Sequence, residues 1–327
     1  MPVVASTLIK NNESFAGKIL RLRGAITSGR KAAYLGLLLH AFRPVSLLID
    51  SIIANLFLRC QVWPIEPMPS SLMIVSPPRA GSTLIYQVLT RVIPSVYYSN
   101  FHYLFPESAS HFMSRFNLFG KTVNEYANYY GYSPELHDVN EGNALLNRIL
   151  NRKEPQAIRG EFIRILGWMK ASPDRPFLFK NVRHYGDIAA LHEAIPELNF
   201  LRIHRNTEHI IRSELIGYRE LGTFHPVPPE LWNSQISDPI EFCVRQIQVI
   251  ERTLDRQFEL LPSSVKTEWE YEEFCKNPEP HIESLASENL HLNREQLRFD
   301  NLTVNLQPRS YPEEDFVAIR EYLEEKL

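Results

Sequence analysis

A chain of 327 residues with 44% hydrophobic content has the apolar material for a large core in one or two domains. Lys and Arg number 35 against 38 Asp and Glu, a formal charge of -3, which argues against a broad nucleic-acid footprint but leaves room for a local basic pocket holding one nucleotide. Cys60, Cys243 and Cys275 are scattered with no C-x-x-C pair, so neither a disulfide framework nor a zinc site is indicated, and a reducing, cytosol-like compartment is the expected setting.

Residues 1–31 carry Lys10, Lys18, Arg21, Arg23, Arg30 and Lys31 against one acid, Glu13, and no continuous apolar core follows the start as a secretory signal requires. Two apolar segments follow, 32–42 and 45–58, split by Arg43-Pro44 and interrupted by Asp50. Neither alone reaches the ~20 apolar residues of a membrane-spanning helix. Leu48, Ile49, Ile52, Ile53 and Leu56 form a stripe opposite Asp50, Ser51 and Asn55, as in an amphipathic helix. The stripe is expected to pack on the chain's own body; an interfacial helix on a membrane, favoured by the basic flank, is the alternative. Pro64, Pro67 and Pro69 make a linker, so residues 1–69 read as a helical extension and 70–327 as the main domain.

The main domain opens with the stretch that organises the rest. Leu72 to Val75 is an apolar run short enough for a buried strand. Pro77-Pro78 ends any ladder, because neither residue has an N–H to give. Arg79-Ala80-Gly81-Ser82-Thr83 follows, and then Leu84, Ile85, Val88 and Leu89 repeat at helical spacing. Strand, tight loop and helix in this order expose a helix N-terminus with its unpaired N–H groups and positive dipole end, which attracts an anion. Gly81 lets backbone approach a ligand, Ser82 and Thr83 add hydroxyls, and Arg79 adds a charged fork. No Lys precedes Ser82, so this is not a Walker A loop.

Residues 97–132 are rich in aromatics and His, including Tyr97, Tyr98, Phe101, His102, Tyr103, Phe105, His111 and Phe112. They read as a core layer, or as the wall of an acceptor pocket. Ser133-Pro134-Glu135 reads as a helix start, and Asn140-Glu141 as another with Leu145, Leu146, Ile149 and Leu150 as its stripe. Residues 176–179 read as a buried strand ending at Lys180-Asn181, 184–195 as a helix and 198–203 as a strand followed by His204-Arg205. Asn206 is a good N-cap for the next helix. This alternation implies an α/β fold with a doubly wound parallel sheet, whose ligands bind beyond the carboxyl ends of the strands. Arg79, Lys180 and Arg205 all sit at that edge. Residues 222–239 hold Pro226, Pro228, Pro229 and Pro239 and read as a long loop that ends at the Asp238-Pro239 start of a helix with Cys243, Ile247, Ile250, Leu254 and Phe258 as its stripe. Residues 265–271 read as the last strand.

The run Pro-Pro-Arg-Ala-Gly-Ser-Thr-Leu resembles the 5'-phosphosulfate loop of sulfotransferases, commonly Pro-Arg-Ser-Gly-Thr-Thr-Leu. Arg205 and Ser213, eight residues apart, resemble the pair that holds the 3'-phosphate of PAPS (3'-phosphoadenosine-5'-phosphosulfate) in that family. Lys180-Asn181 resembles the Lys-Asp/Asn-Pro element of the tyrosylprotein and carbohydrate-type enzymes, and residues 269–278 resemble the Tyr-Glu-Asp-Leu…Asp-Pro stretch. The resemblance covers about residues 70–290 and not the N-terminal helices.

It implies a P-loop-like fold and a sulfotransferase that uses PAPS as co-substrate, without a metal, and acts on a hydroxyl of a sugar, lipid or small molecule. Arg79, Ala80, Gly81, Ser82 and Thr83 would bind the 5'-phosphosulfate and Arg205 and Ser213 the 3'-phosphate. Tyr271 would lie near the adenine, Arg309 would close on the 3'-phosphate, and Lys180 would stabilise the leaving oxygen. Asn100 falls about where several relatives carry the Glu base. His102 has a suitable ordinary pKa to replace it, with Glu107 in reserve. Two other readings stay open: a phosphotransferase using a nucleoside triphosphate, and a catalytically silent, nucleotide-binding or membrane-peripheral relative.

Overall fold

The computed structural model of the chain describes residues 15–58, 68–120, 126, 133–224, 226–232, 234–302 and 313–326. Five parallel strands, β1 (Ser71–Val75), β2 (Val96–Tyr97), β3 (Phe177–Asn181), β4 (Leu198–His204) and β5 (Lys266–Glu270), form one sheet in the order β2-β3-β1-β4-β5. The described helices are α1 (Phe15–Thr27), α2 (Lys31–Ile53), α3 (Ser82–Val92), α4 (Asn100–Leu104), α5 (Ala109–Arg115), α6 (Asn143–Leu150), α7 (Pro155–Met169), α8 (Ile188–Ala194), α9 (Thr207–Leu221), α10 (Pro239–Glu259), α11 (Tyr271–Lys276), α12 (Pro278–Glu288) and α13 (Glu313–Lys326).

Strands β1 and β3 are buried along their whole length, which is why both read as unbroken runs rather than alternating ones. Their Leu72, Met73, Ile74, Leu178 and Phe179 form the middle of the core with Ile85, Val88 and Leu89 of α3. In register, Ile74 of β1 lies beside Lys180 of β3, and Val75 lies between Asn181 of β3 and Arg202 of β4. The chain leaves β1 toward β2 on one side of the sheet and leaves β4 toward β5 on the other. Connections of two adjacent strands therefore diverge, and the crevice they open at the carboxyl ends is where such sheets bind ligands. The expected fold is thus observed.

Several elements differ from the sequence reading. Residues 133–135 begin no helix: the Ser133 hydroxyl donates to the Val139 carbonyl at 2.8 Å and closes a loop instead of capping. Helix α6 starts at Asn143 after Gly142 in a left-handed conformation (φ +67°), leaving Asn140-Glu141 outside it. The helix read over 184–195 shortens to α8, because the Arg183 and His184 N–H groups donate to the Asn181 side chain in a turn. β2, only two residues long, had no signal of its own.

The largest change lies in the N-terminal region. Pro44 does not split the two apolar segments; α2 runs through it as one helix. The stripe expected to pack inward faces out, with Leu48, Ile49, Ile52 and Leu56 exposed, while Asp50, opposite it, is the buried residue. Pro64 and Pro67 of the linker lie outside the described residues.

Candidate active site

The loop between β1 and α3 is shaped by two left-handed residues. Gly81, the N-cap of α3, has φ +90°, and a Cβ there would collide with the Cδ2–Cε2 edge of the Tyr271 ring. Glycine is therefore required for conformation and for space. Arg79 has φ +65°, a conformation that costs a non-glycine residue roughly 1–3 kcal/mol. What holds it is Arg205, whose Nη1 donates to the Arg79 carbonyl at 2.8 Å. Because Gly81 has no side chain to cap α3, the positive end of an eleven-residue helix opens on the loop. Ser82, the first residue of α3, is buried with its hydroxyl 2.9 Å from that of Ser76. Ala80 is buried among Ile210 and Ile211 of α9, so only its backbone belongs to the loop's open side.

Lys180 stands beside α3 at the end of β3. Its ammonium is buried and donates to the Thr83 hydroxyl at 2.7 Å and to Glu141 Oε1 at 3.0 Å. Burial alone would raise the Glu141 carboxyl, but the Lys180 ammonium, with Arg183 and Asn143 behind it, outweighs burial and holds it below the usual carboxylate range. Asn181 fixes the approach of this segment, donating to Asn143 Oδ1 at 2.8 Å and to the Glu141 carbonyl at 3.3 Å.

The second cluster is built on α9, whose start is capped by Asn206 accepting from the Glu208 and His209 N–H groups. Arg79 Nη2 lies 3.5 Å from the Ser213 carbonyl, and its Nε lies 3.7 Å from Glu214 Oε1. Burial pushes the Glu214 carboxyl up to about 7, against the opposing pull of Arg79. Arg205 lies over the Tyr271 ring, 4.6 Å from its centroid, with Glu272 Oε1 3.7 Å from its Nε. Burial, ahead of any charge, raises the Tyr271 phenol. Arg79, Gly81, Arg205, Ser213 and Tyr271 thus form one connected surface at the divergence of β1 and β4, and Ser82, Thr83 and Lys180 adjoin it through α3.

The sequence profile described as the Sulfotransferase family matches residues 70–288, two thirds of the chain and the whole of this site. The chain belongs to the sulfotransferase family. Its fold is similar to that of sulfotransferase STF1 from Mycobacterium tuberculosis, with a TM-score of 0.50 at 14% identity over 93% of this chain and 83% of that one. Sulfotransferase STF9 from Mycobacterium avium aligns with a TM-score of 0.47 at 14% identity over 85% of this chain and 72% of that one. No curated protein matches the chain.

Two residues expected at the site of this sulfotransferase lie elsewhere in their contacts. His102 is fully buried in a capping box at the start of α4. Its Nδ1 is 2.7 Å from the Ser99 hydroxyl and its Nε2 2.7 Å from the Ser110 hydroxyl, and burial lowers its pKa to about 3. Both ring nitrogens are thus engaged within the fold and the ring has no exposed surface, an arrangement suited to a structural role. Glu107 is half-buried, with Arg148 of α6 3.5 Å away; burial raises its carboxyl and Arg148 opposes the rise. Arg148 is itself held by Glu161, and the Glu107 N–H donates to Asp50. Asn100 is spent on structure, donating to Ser133 and Glu135 and accepting from Asn140. Arg309 lies outside the described residues.

The residue that sequence reading missed is Glu141. It reads as the start of a helix, and nothing in its neighbourhood marks it as belonging with Lys180, 39 residues away. The one available signal is Gly142, whose left-handed turn starts α6 at Asn143 and leaves Glu141 ahead of the helix, where Lys180 reaches it.

Proposed function

We propose that this sulfotransferase takes its sulfonate group from PAPS and passes it to the hydroxyl of a sugar, lipid or small-molecule acceptor. The observation that carries the reading is the joining of the two anion-seeking clusters: Arg205 donates to the Arg79 carbonyl while Arg79 reaches the Ser213 carbonyl. These contacts support a reading in which one nucleotide spans the loop suited to a 5'-phosphosulfate and the helix suited to a 3'-phosphate.

In this reading the open N-terminus of α3, with Ser82 and Thr83, receives the phosphosulfate. Arg205 and Ser213 receive the 3'-phosphate; the side chain of Arg79, expected at the phosphosulfate, joins them because it lies beside Ser213 and Glu214, and the Tyr271 ring lies along the nucleoside. The acceptor oxygen attacks sulfur in line, the sulfur–oxygen bond to the 5'-phosphate breaks, and charge grows on that phosphate oxygen. Lys180, already at Thr83, turns to that oxygen; catalysis is by position and charge.

The base is Glu141, which takes the acceptor's hydroxyl proton. In the empty site Lys180 holds its carboxylate; once Lys180 turns to the leaving oxygen, its opposition to burial is removed, only Arg183 and Asn143 still oppose burial, and the basicity of Glu141 rises.

The test is transfer of labelled sulfate from PAPS to a panel of hydroxyl acceptors, with calorimetric titration of the product nucleotide PAP (3'-phosphoadenosine-5'-phosphate). Binding of PAP and label transfer support the reading. Absence of PAP binding, or magnesium-dependent binding of ATP in its place, contradicts it.

A further inference from the structure

The outward face of α1 and α2 has no partner within the described structure. Tyr34, Leu38, Phe42, Val45, Leu48, Ile49, Ile52 and Leu56 are all exposed, Leu48 by 66% and Leu56 by 70%. They recur every three or four residues, so they share one face of the helix. From Tyr34 to Leu56 the stripe is about 33 Å long at ~1.5 Å per residue. Ile19, Leu22 and Ile26 of α1 are exposed as well. The helical stretch from Lys31 to Leu56 has a mean hydropathy of 1.6 in its most apolar window, only 22% of it buried. Such a surface in water needs an occupant.

Charge identifies the occupant. Residues 15–58 hold Lys18, Arg21, Arg23, Arg30, Lys31 and Arg43 against one acid, Asp50, and that acid is buried. Arg23, Arg30 and Lys31 are exposed where α1 meets α2, Arg30 in a 3.4 Å ion pair with Glu220 of α9. A second copy of the chain meeting this face through the same face would bring no exposed acid from residues 15–58 to these basic residues. An anionic bilayer satisfies both parts at once: the acyl layer takes the stripe and the headgroups take the basic end.

The inner face of α2 decides how the helix lies. Asp50 accepts from the Glu107 and Ser108 N–H groups and from the Ser108 hydroxyl. Arg43 donates to the Tyr103 carbonyl at 3.1 Å and lies 3.9 Å from the centroid of that ring. A helix fastened along one side to α4 and α5 cannot be surrounded by lipid, so it lies in the plane of the interface rather than crossing it. We propose that this sulfotransferase docks on anionic membranes through the outward face of α1 and α2. The proposal does not depend on the donor or the acceptor of the transfer reaction.

The experiment is co-sedimentation of the full chain with phosphatidylcholine vesicles, with and without phosphatidylglycerol. The expected result is binding at least about tenfold stronger to the anionic vesicles, weakened by salt. Leu48→Ser/Ile52→Ser/Leu56→Ser should lose about tenfold or more of that binding while the protein stays folded, since it removes mainly exposed apolar surface. Arg23→Glu/Lys31→Glu should lose the preference for anionic lipid and gives a second reading if the triple variant folds poorly. Wild-type protein that stays in solution with both vesicles, or binds both equally, overturns the proposal. So does a stable dimer in sedimentation velocity that the triple variant abolishes, which would assign the face to a second copy.

Discussion

Arg205 holds the backbone of Arg79 in place: its Nη1 donates to the Arg79 carbonyl across 2.8 Å, from the end of β4 to the loop after β1. One side chain therefore supports the strained turn of the cradle and supplies charge to the cluster beside Ser213. Loss of Arg205 should be felt at both ends of a bound nucleotide, whereas loss of Ser213 should be felt at one. Tryptic cleavage after Arg79 offers a direct check on the turn: Arg205→Ala should be cut there faster than wild type, and equal rates would separate Arg205 from the loop's conformation.

Gly81 tests the space above the cradle. Gly81→Ala meets both the Tyr271 ring and a left-handed φ, the latter alone worth about 1–3 kcal/mol. PAP affinity should fall at least about tenfold. In a Tyr271→Ala background the same substitution should cost less, because only the backbone term remains. An equal penalty in both backgrounds would mean that the ring does not limit the loop.

Glu141→Gln keeps an acceptor for Lys180 but removes the base. We expect kcat to drop by about 10²–10⁴-fold, the usual worth of a positioned general base, with PAP affinity little changed. Because Lys180 holds the free enzyme's carboxyl below its usual range, kcat/KM should not decline toward acid pH until below about 4.5, the ordinary value for Glu. A variant with wild-type turnover removes Glu141 from the chemistry.

His102 makes the complementary case. His102→Gln preserves the side-chain partner of the α4 capping box. It should leave the pH–rate profile unchanged, and the loss of an acid limb would restore histidine as the base. For stability the sign is set by its lowered pKa: the unfolded chain binds a proton that the folded one refuses. Wild-type stability should therefore fall as pH drops from about 6.5 toward 3, and less steeply in the Gln variant.

Glu214 runs the other way. Its carboxyl is raised from 4.5 to about 7, mainly by burial, so the folded chain holds a proton that the unfolded chain releases. That contribution is complete below pH 4.5 and is lost as pH rises through 7. Glu214→Gln should be more stable than wild type at pH 8, by up to about 3.5 kcal/mol at ~1.4 kcal/mol per pH unit, and should melt higher there. A lower melting temperature there would show that the Arg79 ion pair outweighs burial.

Much of this was legible in the chain because local pattern and tertiary role coincide. Leu72 to Val75 is apolar throughout because β1 is buried on both faces, and Gly81 stands where a left-handed N-cap is needed. The Asp238-Pro239 helix start and its stripe from Cys243 to Phe258 are observed as read. Legibility failed where tertiary contacts override local signals. Asp50, charged and set in an apolar run, looked like the solvent side of α2, yet it is buried because the backbone N–H groups of Glu107 and Ser108 need an acceptor. The His102 ring looked like a free base, and only the fold brings Ser110 to its second nitrogen. Glu141 was passed over because its partner arrives from another strand.

A paired titration tests most directly whether one nucleotide spans both clusters. PAP and adenosine 5'-monophosphate, which lacks the 3'-phosphate, are each titrated into the wild type and Arg205→Ala. We predict that the wild type prefers PAP, and that Arg205→Ala loses about 1.5–3 kcal/mol of PAP affinity and most of that preference. A preference that survives the substitution intact, or a wild type that binds the two nucleotides equally, contradicts the assignment.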